Sequence, residues 1–236
     1  MIPFIASFQS AFHFFVQGGF FMFLLLLCSV TSIAVIFLRG SALRRETVMP
    51  PFIENSIEEL LPSGDQAAIV RLSKMVKGDP SPLGRIIQVG LQHLQWPKSE
   101  NIEAVQTRAR HEIVRMERGL VILEIIVGIA PLLGLLGAVS GLVTVFANLG
   151  DSATVTDPRG IAKGISEALS TTVVGMAVAI PTLIAYSYFS KKVEEMAAEM
   201  ESLVADLLAK CYFHKQKRLA QHRSNEAPRD DFDEMI

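Results

Sequence analysis

The chain has 236 residues, half of them hydrophobic, and a formal net charge of −2. With no basic stripe interleaved with aromatics, that balance gives no support to a nucleic-acid partner. Its two cysteines, Cys28 in an apolar run and Cys211 in a distant charged stretch, imply no disulfide framework.

The charges are segregated along the chain. Met1 to Leu38 contains no Asp, Glu, Lys or Arg; charges fill the chain from Arg39 to Arg118, nearly vanish over two further apolar runs, and return from Lys191. This layout is that of a membrane protein. The first 17 residues, MIPFIASFQSAFHFFVQ, place Phe4, Phe8, Phe12 and Phe15 at helical spacing. They predict a helix lying in the outer interface, with His13 as an interfacial polar residue and Gly18-Gly19 as the bend into the membrane. No basic residue precedes this region, so it is read as retained and not as a signal peptide.

Three runs are long enough to span, given that a membrane helix needs roughly 20 apolar residues: Gly18 to Leu38, Ile125 to Leu149, and the apolar part of residues 160–189. Between the first two, the pattern predicts short helices. Pro50-Pro51 breaks the extension of the first span. Ile53 to Leu61 and Asp65 to Lys77 read as helices, and Ser81-Pro82 is an N-cap followed by proline at the first helical position of a helix reaching Gln95. From Glu100 a long helix carries Val105, Ala109, Ile113 and Met116 into the second span. After the third span a stripe of Val193, Met196, Met200, Leu203 and Leu207 continues the helix, and the acidic end, NEAPRDDFDEMI, reads as disordered.

The expected fold is therefore all-α and polytopic. It divides into an interfacial helix (1–17), a first span (18–38), a cytoplasmic helical segment (39–118), a second span (119–149), an outer loop (150–159), a third span (160–190) and a cytoplasmic helix with tail (191–236). Arg39, Arg44 and Arg45 after the first span, Arg115 and Arg118 before the second, and Lys191 and Lys192 after the third set the orientation. By the positive-inside rule the middle segment and C-terminus are cytoplasmic and the N-terminus faces outward.

No Walker loop, GxSxG, HExxH or paired Cys/His spacing occurs, so no enzyme, metal site or cofactor is expected. The polar and small residues of the spans carry the information. In the second span Gly134, Gly137 and Gly141, with Ala138, form a small-residue face for close helix packing, and Pro131 frees a backbone carbonyl. In the third, Gly164, Ala168, Gly175 and Ala179 repeat the face and Pro181 the proline. Packing is the simpler role for these residues, and lining a pore is compatible with it.

Glu167 shares one helical face with Gly160, Gly164, Thr171 and Val178, with Thr172 further round. A carboxylate there can bind a cation or relay a proton through hydroxyl-held water. Equally, Ala168 to Phe189 could span alone, which leaves Glu167 at the outer edge in an ion pair with Lys163 one turn before it. Glu124, at the start of the second span, is either an interfacial ion-paired residue or a cytoplasmic exit for ions.

The pair GIAPLLGLLGAVSGLVTVF (128–146) and GISEALSTTVVGMAVAIPTLIAY (164–186) resembles the ExbB/TolQ/MotA proton-channel family, and its three-span layout is closest to the ExbB and TolQ branch. The resemblance implies a homo-oligomeric ring, a homopentamer, around single-span partners of the ExbD/TolR type. Proton flow would then power a TonB- or TolA-like protein from the bacterial inner membrane. Its motif EALxxTxxG places the channel glutamate at Glu167 and the hydroxyl at Thr172, whereas geometry beside Glu167 favours Thr171. This chain departs from the family's GLxGTVxG by having Ala138 where the threonine stands, and Ser140 and Thr144 lie on another face. Lys163 is a second departure, and it makes that residue, with Glu124, a modulator of the path.

Overall fold

The computed structural model describes residues 19–60, 66–151 and 158–226. Among these the structure is helical, without strands: α1 (Gly19–Ala42), α2 (Arg45–Val48), α3 (Pro51–Glu58), α4 (Gln66–Val76), α5 (Pro82–Gln92), α6 (Lys98–Glu117), α7 (Leu120–Asp151) and α8 (Pro158–Glu226). Helices α1, α7 and α8 are each long and apolar enough to cross a membrane. The predicted interfacial helix, most of the outer loop and the acidic tail after Glu226 lie outside the described residues, while Asn225 and Glu226, expected in that tail, end α8.

The chain divides into two compact units. One comprises Met1–Ser41 with Glu117–Lys192, the other Ala42–Met116 with Val193–Ile236. The first holds the three membrane helices. Its core is Leu25 on α1, Ile126 and Ala130 on α7, and Ala179 on α8, ringed by Cys28, Leu133, Val174 and Val178. Large apolar residues such as Phe20, Leu132, Val143, Phe146, Val173 and Ile184 point outward, the all-round apolarity of helices meant for lipid.

Lipid removes the usual hydrophobic drive for helix association, so close packing must supply it. Helices α7 and α8 meet where both lack side chains. A Cβ on Gly175 would lie 2.7 Å from the Ala130 carbonyl oxygen, and one on Gly134 would lie 2.8 Å from the Thr171 carbonyl oxygen. These are backbone atoms and cannot swing aside. Pro131 and Pro181 sit inside helices that continue past them. Each proline lacks the amide that would bond the carbonyl four residues earlier.

At the start of α1, Gly19 has φ +67°, the left-handed region that glycine enters without strain. The helix then runs four residues beyond Leu38, to Ala42. The long helix expected to enter the second span is instead interrupted at Arg118-Gly119, between α6 and α7. Glycine is a poor helix former, and the Arg39 guanidinium lies against Gly119, in the space a Cβ would need.

The second unit is organised by polar burial as much as by apolar packing. Ser81 caps α5 by accepting from the Gly84 amide at 3.0 Å, as its sequence predicts. The helix ends at Gln92, earlier than expected, in a turn through His93 to Trp96. Asn101 donates to the Gly90 carbonyl and to the Tyr212 hydroxyl, both at 3.0 Å, joining α5, α6 and α8. Glu112 is fully buried. Arg85 reaches one of its oxygens at 2.6 Å and Arg108 the other at 2.8 Å, while Arg115 lies 3.8 Å away. Removing one partner of such a buried pair costs about 3–5 kcal/mol, because the remaining charge is stranded.

The buried stripe of α8 in this unit is Val193, Met196, Met200, Val204, Leu207, Leu208, Cys211 and Tyr212. Leu203, expected in it, is half-buried, and Val204 takes the inward position. On α6, Val105 and Met116 are buried, whereas Ala109 and Ile113 line an open groove beside α8.

Two outcomes test this packing. Gly175→Ala should destabilise the detergent-solubilised protein by about 1–3 kcal/mol, read as a lowered Tm, while Gly128→Ala, with nothing within 4 Å of the added methyl, should not. Burial pushes the Cys211 thiol up to about 11 from 9.0. At mildly alkaline pH its thiolate fraction, and hence its maleimide labelling, should fall about a hundredfold below that of a free thiol. Labelling at the free-thiol rate would show that Cys211 is accessible.

Candidate functional site

The first unit contains a cavity of about 440 Å³ between α7 and α8, closed on one side by Gly19 and Phe21 of α1. It exists because small residues stack along it: Gly137 and Gly141 on α7, Gly160, Gly164 and Ala168 on α8. A Cβ on Gly141 would lie 2.9 Å from that of Ala168, and Val145 occupies the space beside Gly164. The glycines thus serve packing and leave room between the helices at once.

Glu167 opens into this cavity, together with Lys163 and the hydroxyl residues Ser140, Thr144 and Thr171. The Lys163 ammonium lies 3.7 Å from a Glu167 oxygen, with the lysine side chain 70% and the glutamate side chain 41% exposed. A pair that exposed contributes little to stability. Gly160, Gly164, Glu167 and Thr171 do share one face, as their helical spacing predicts.

Thr171 is buried, and its hydroxyl donates to the carbonyls of Ala168 at 2.7 Å and Gly134 at 3.1 Å. Thr172 is half-buried and donates to the same Gly134 carbonyl at 3.3 Å. Both threonines nominated from sequence therefore meet at one carbonyl of α7, and Thr171 alone of the two lines the cavity. Ala138 is buried in the bundle. Ser140 and Thr144 do lie on a different face of α7 from Ala138, and that face fronts Glu167. Thr144 donates to the Ser140 carbonyl at 3.0 Å.

Glu124 is exposed near the start of α7 and is not part of the cavity. Pro131 and Pro181 also lie away from it. Gly134 and Gly175 lie in the tight helix contact, next to the apolar layer of Leu25, Ile126, Ala130 and Ala179.

Beyond that layer lies a buried polar pair that sequence reading did not single out. Ser32 on α1 and Thr182 on α8 have their hydroxyl oxygens 2.7 Å apart. Thr182 donates to the Val178 carbonyl at 2.7 Å, so Ser32 supplies the proton of the shared bond. Their placement on two separate spans gives no local signal, and Ser32 stands beside Ser29 and Thr31 in the same apolar run.

Residues 79–202, more than half of the chain, match the MotA/TolQ/ExbB proton channel family. The chain is 34% identical over 180 residues to the ExbB-like biopolymer transport protein 1 of Synechocystis sp., covering 73% of this chain and 67% of that protein. It is 30% identical over 200 residues to the ExbB homologue of Methanothermobacter thermautotrophicus, covering 84% and 70%. With the biopolymer transport protein ExbB of Neisseria gonorrhoeae it shares 26% identity over 203 residues, covering 80% and 89%. The family match takes in α7 and the membrane part of α8, and the chain, a multi-pass membrane protein, belongs to the MotA/TolQ/ExbB proton channel family.

Proposed function

We propose that this chain is the channel-forming subunit of an ion-driven motor, with Glu167 as the residue that takes up and releases the proton. The observation that carries this reading is the placement of Glu167. It is a carboxylate in a mainly apolar span, with Lys163 one turn before it, and it opens into a cavity with three hydroxyl residues and room for water. Ionisable groups in such segments are costly and mark ion paths.

On this reading the chains form a ring, a homopentamer, around single-span partners of the ExbD/TolR type. Proton flow through the ring energises a TonB- or TolA-like protein for transport or maintenance at the outer membrane. The complex sits in the bacterial inner membrane with spans 18–38, 119–149 and 160–190. The N-terminus lies outside and the C-terminus in the cytoplasm, the orientation favoured by Arg39, Arg44, Arg45, Arg115, Arg118, Lys191 and Lys192. The chain acts as a conduit and not as an enzyme. Because α7 and α8 close on each other at Gly134 and Gly175, the path beyond Glu167 follows a surface that neighbouring chains or partners cover.

A second reading is a membrane scaffold that assembles partner helices without conducting ions. The Lys163–Glu167 pair at 3.7 Å favours it, since a paired carboxylate can serve as a plain surface contact. Proton flux into liposomes separates the two. Glu167→Gln should lower the flux of the reconstituted complex, and its energising activity, on the order of tenfold or more without loss of assembly. Undiminished flux and activity in the variant would remove Glu167 from the path, and absence of flux in the wild type would favour the scaffold.

A further inference from the structure

We propose that Lys163 is a built-in counter-ion that closes the Glu167 cavity to alkali-metal cations, so that the cavity passes protons alone. The inference rests on the reading of Glu167 as the ion-carrying residue and addresses which ion it carries.

Two of the three cavity hydroxyls, those of Thr171 and Thr144, spend their protons on the backbone. Thr171 donates to Ala168 and Gly134, and Thr144 donates to Ser140. What they have left to offer the cavity is oxygen lone pairs. With the Glu167 carboxylate they make an acceptor-lined chamber of about 440 Å³. Hard monovalent and divalent cations are held by just such oxygen sets. Left to these residues alone, the chamber would accept a sodium ion as readily as a proton-carrying water.

Lys163 changes that balance. Its ammonium lies 3.7 Å from the Glu167 carboxylate, and these two are the charged residues among those lining the cavity. The pair is neutral, so the chamber has no net negative charge with which to draw a cation in. A metal ion on the carboxylate would stand within a few ångströms of the ammonium, where like charges repel, though less strongly than in a buried site because both side chains are partly exposed. It would also have to displace the ammonium as the carboxylate's partner.

A proton faces no such competition. It arrives on a water, transfers to a Glu167 oxygen and leaves a neutral acid beside the ammonium. Its release to a water on the far side restores the carboxylate. Lys163 takes no part in the transfer, and no site for a second cation is needed.

The test uses the complex purified with its single-span partners and reconstituted in liposomes. Proton entry is followed with a trapped pH dye and sodium entry with radiolabelled sodium. Wild type should pass protons and exclude sodium. Lys163→Met should admit sodium on the order of tenfold above wild type, and Lys163→Arg, which keeps the charge, should stay closed. Lys163→Gln serves the same purpose if the Met variant fails to assemble. A charge-free variant that conducts protons yet excludes sodium as wild type does would overturn the inference and leave the role of Glu167 standing. A wild-type complex that passes no protons would remove the ion path itself, and the inference with it.

Discussion

The membrane unit depends on one constraint, the near-contact of the α7 and α8 backbones at Gly134 and Gly175. There a Cβ would come within 3 Å of a carbonyl oxygen of the opposite helix. In lipid, burial of apolar side chains gains nothing over exposure to acyl chains, so dense backbone packing and polar contacts hold helices together. The contact also sets the site. Glu167 lies two helical turns from Gly175, and Gly137 and Gly141 continue the small-residue face along α7. The helices are therefore locked at one level and left with space between them at the next. The same small residues that bring the helices together leave Thr171 and Thr172 within reach of the Gly134 carbonyl, which adds hydrogen bonds to a contact otherwise made by dispersion alone.

Two carboxylates show how environment divides labour. Glu112 is wholly buried in the second unit, held by Arg85 and Arg108 with Arg115 nearby. Its charge is matched more than once over, and it fastens α5 to α6. Glu167 has one lysine at 3.7 Å and an open cavity in front of it. The one carboxylate is weakly paired at an open cavity and the other strongly paired in the interior, and strong pairing in the interior suits a fastener.

Much of the architecture was legible in the sequence because the membrane imposes simple rules. Long charge-free runs bounded by arginine and lysine mark α1, α7 and α8, and Ser81-Pro82 marks the start of α5 by local capping chemistry. The places where reading failed are places where distant residues decide. At the break at Arg118-Gly119, Arg39 from a distant part of the chain lies against that glycine. The inward turn of Val204 in place of Leu203 is a matter of α8's rotation against its neighbours, which helical periodicity alone specifies only to within a residue. Glu112 reads as one more charge on a polar helix until Arg85, far away in the chain, is brought to it.

By itself, the sequence determined the all-helical membrane-spanning class, the small-residue faces and the carboxylate at Glu167, since each follows from local composition or periodicity. It also carried the family motif that names Thr172. Only the tertiary structure decided which hydroxyls share a cavity with that carboxylate. It turned Ser140 and Thr144 toward Glu167, set Ala138 into the bundle, tied Thr171 and Thr172 to one carbonyl and joined Ser32 to Thr182. The reason is geometric. A helical wheel states which residues of one helix share a face, but the face that meets another helix depends on the rotation and level of both, and here the glycine contact between α7 and α8 sets them.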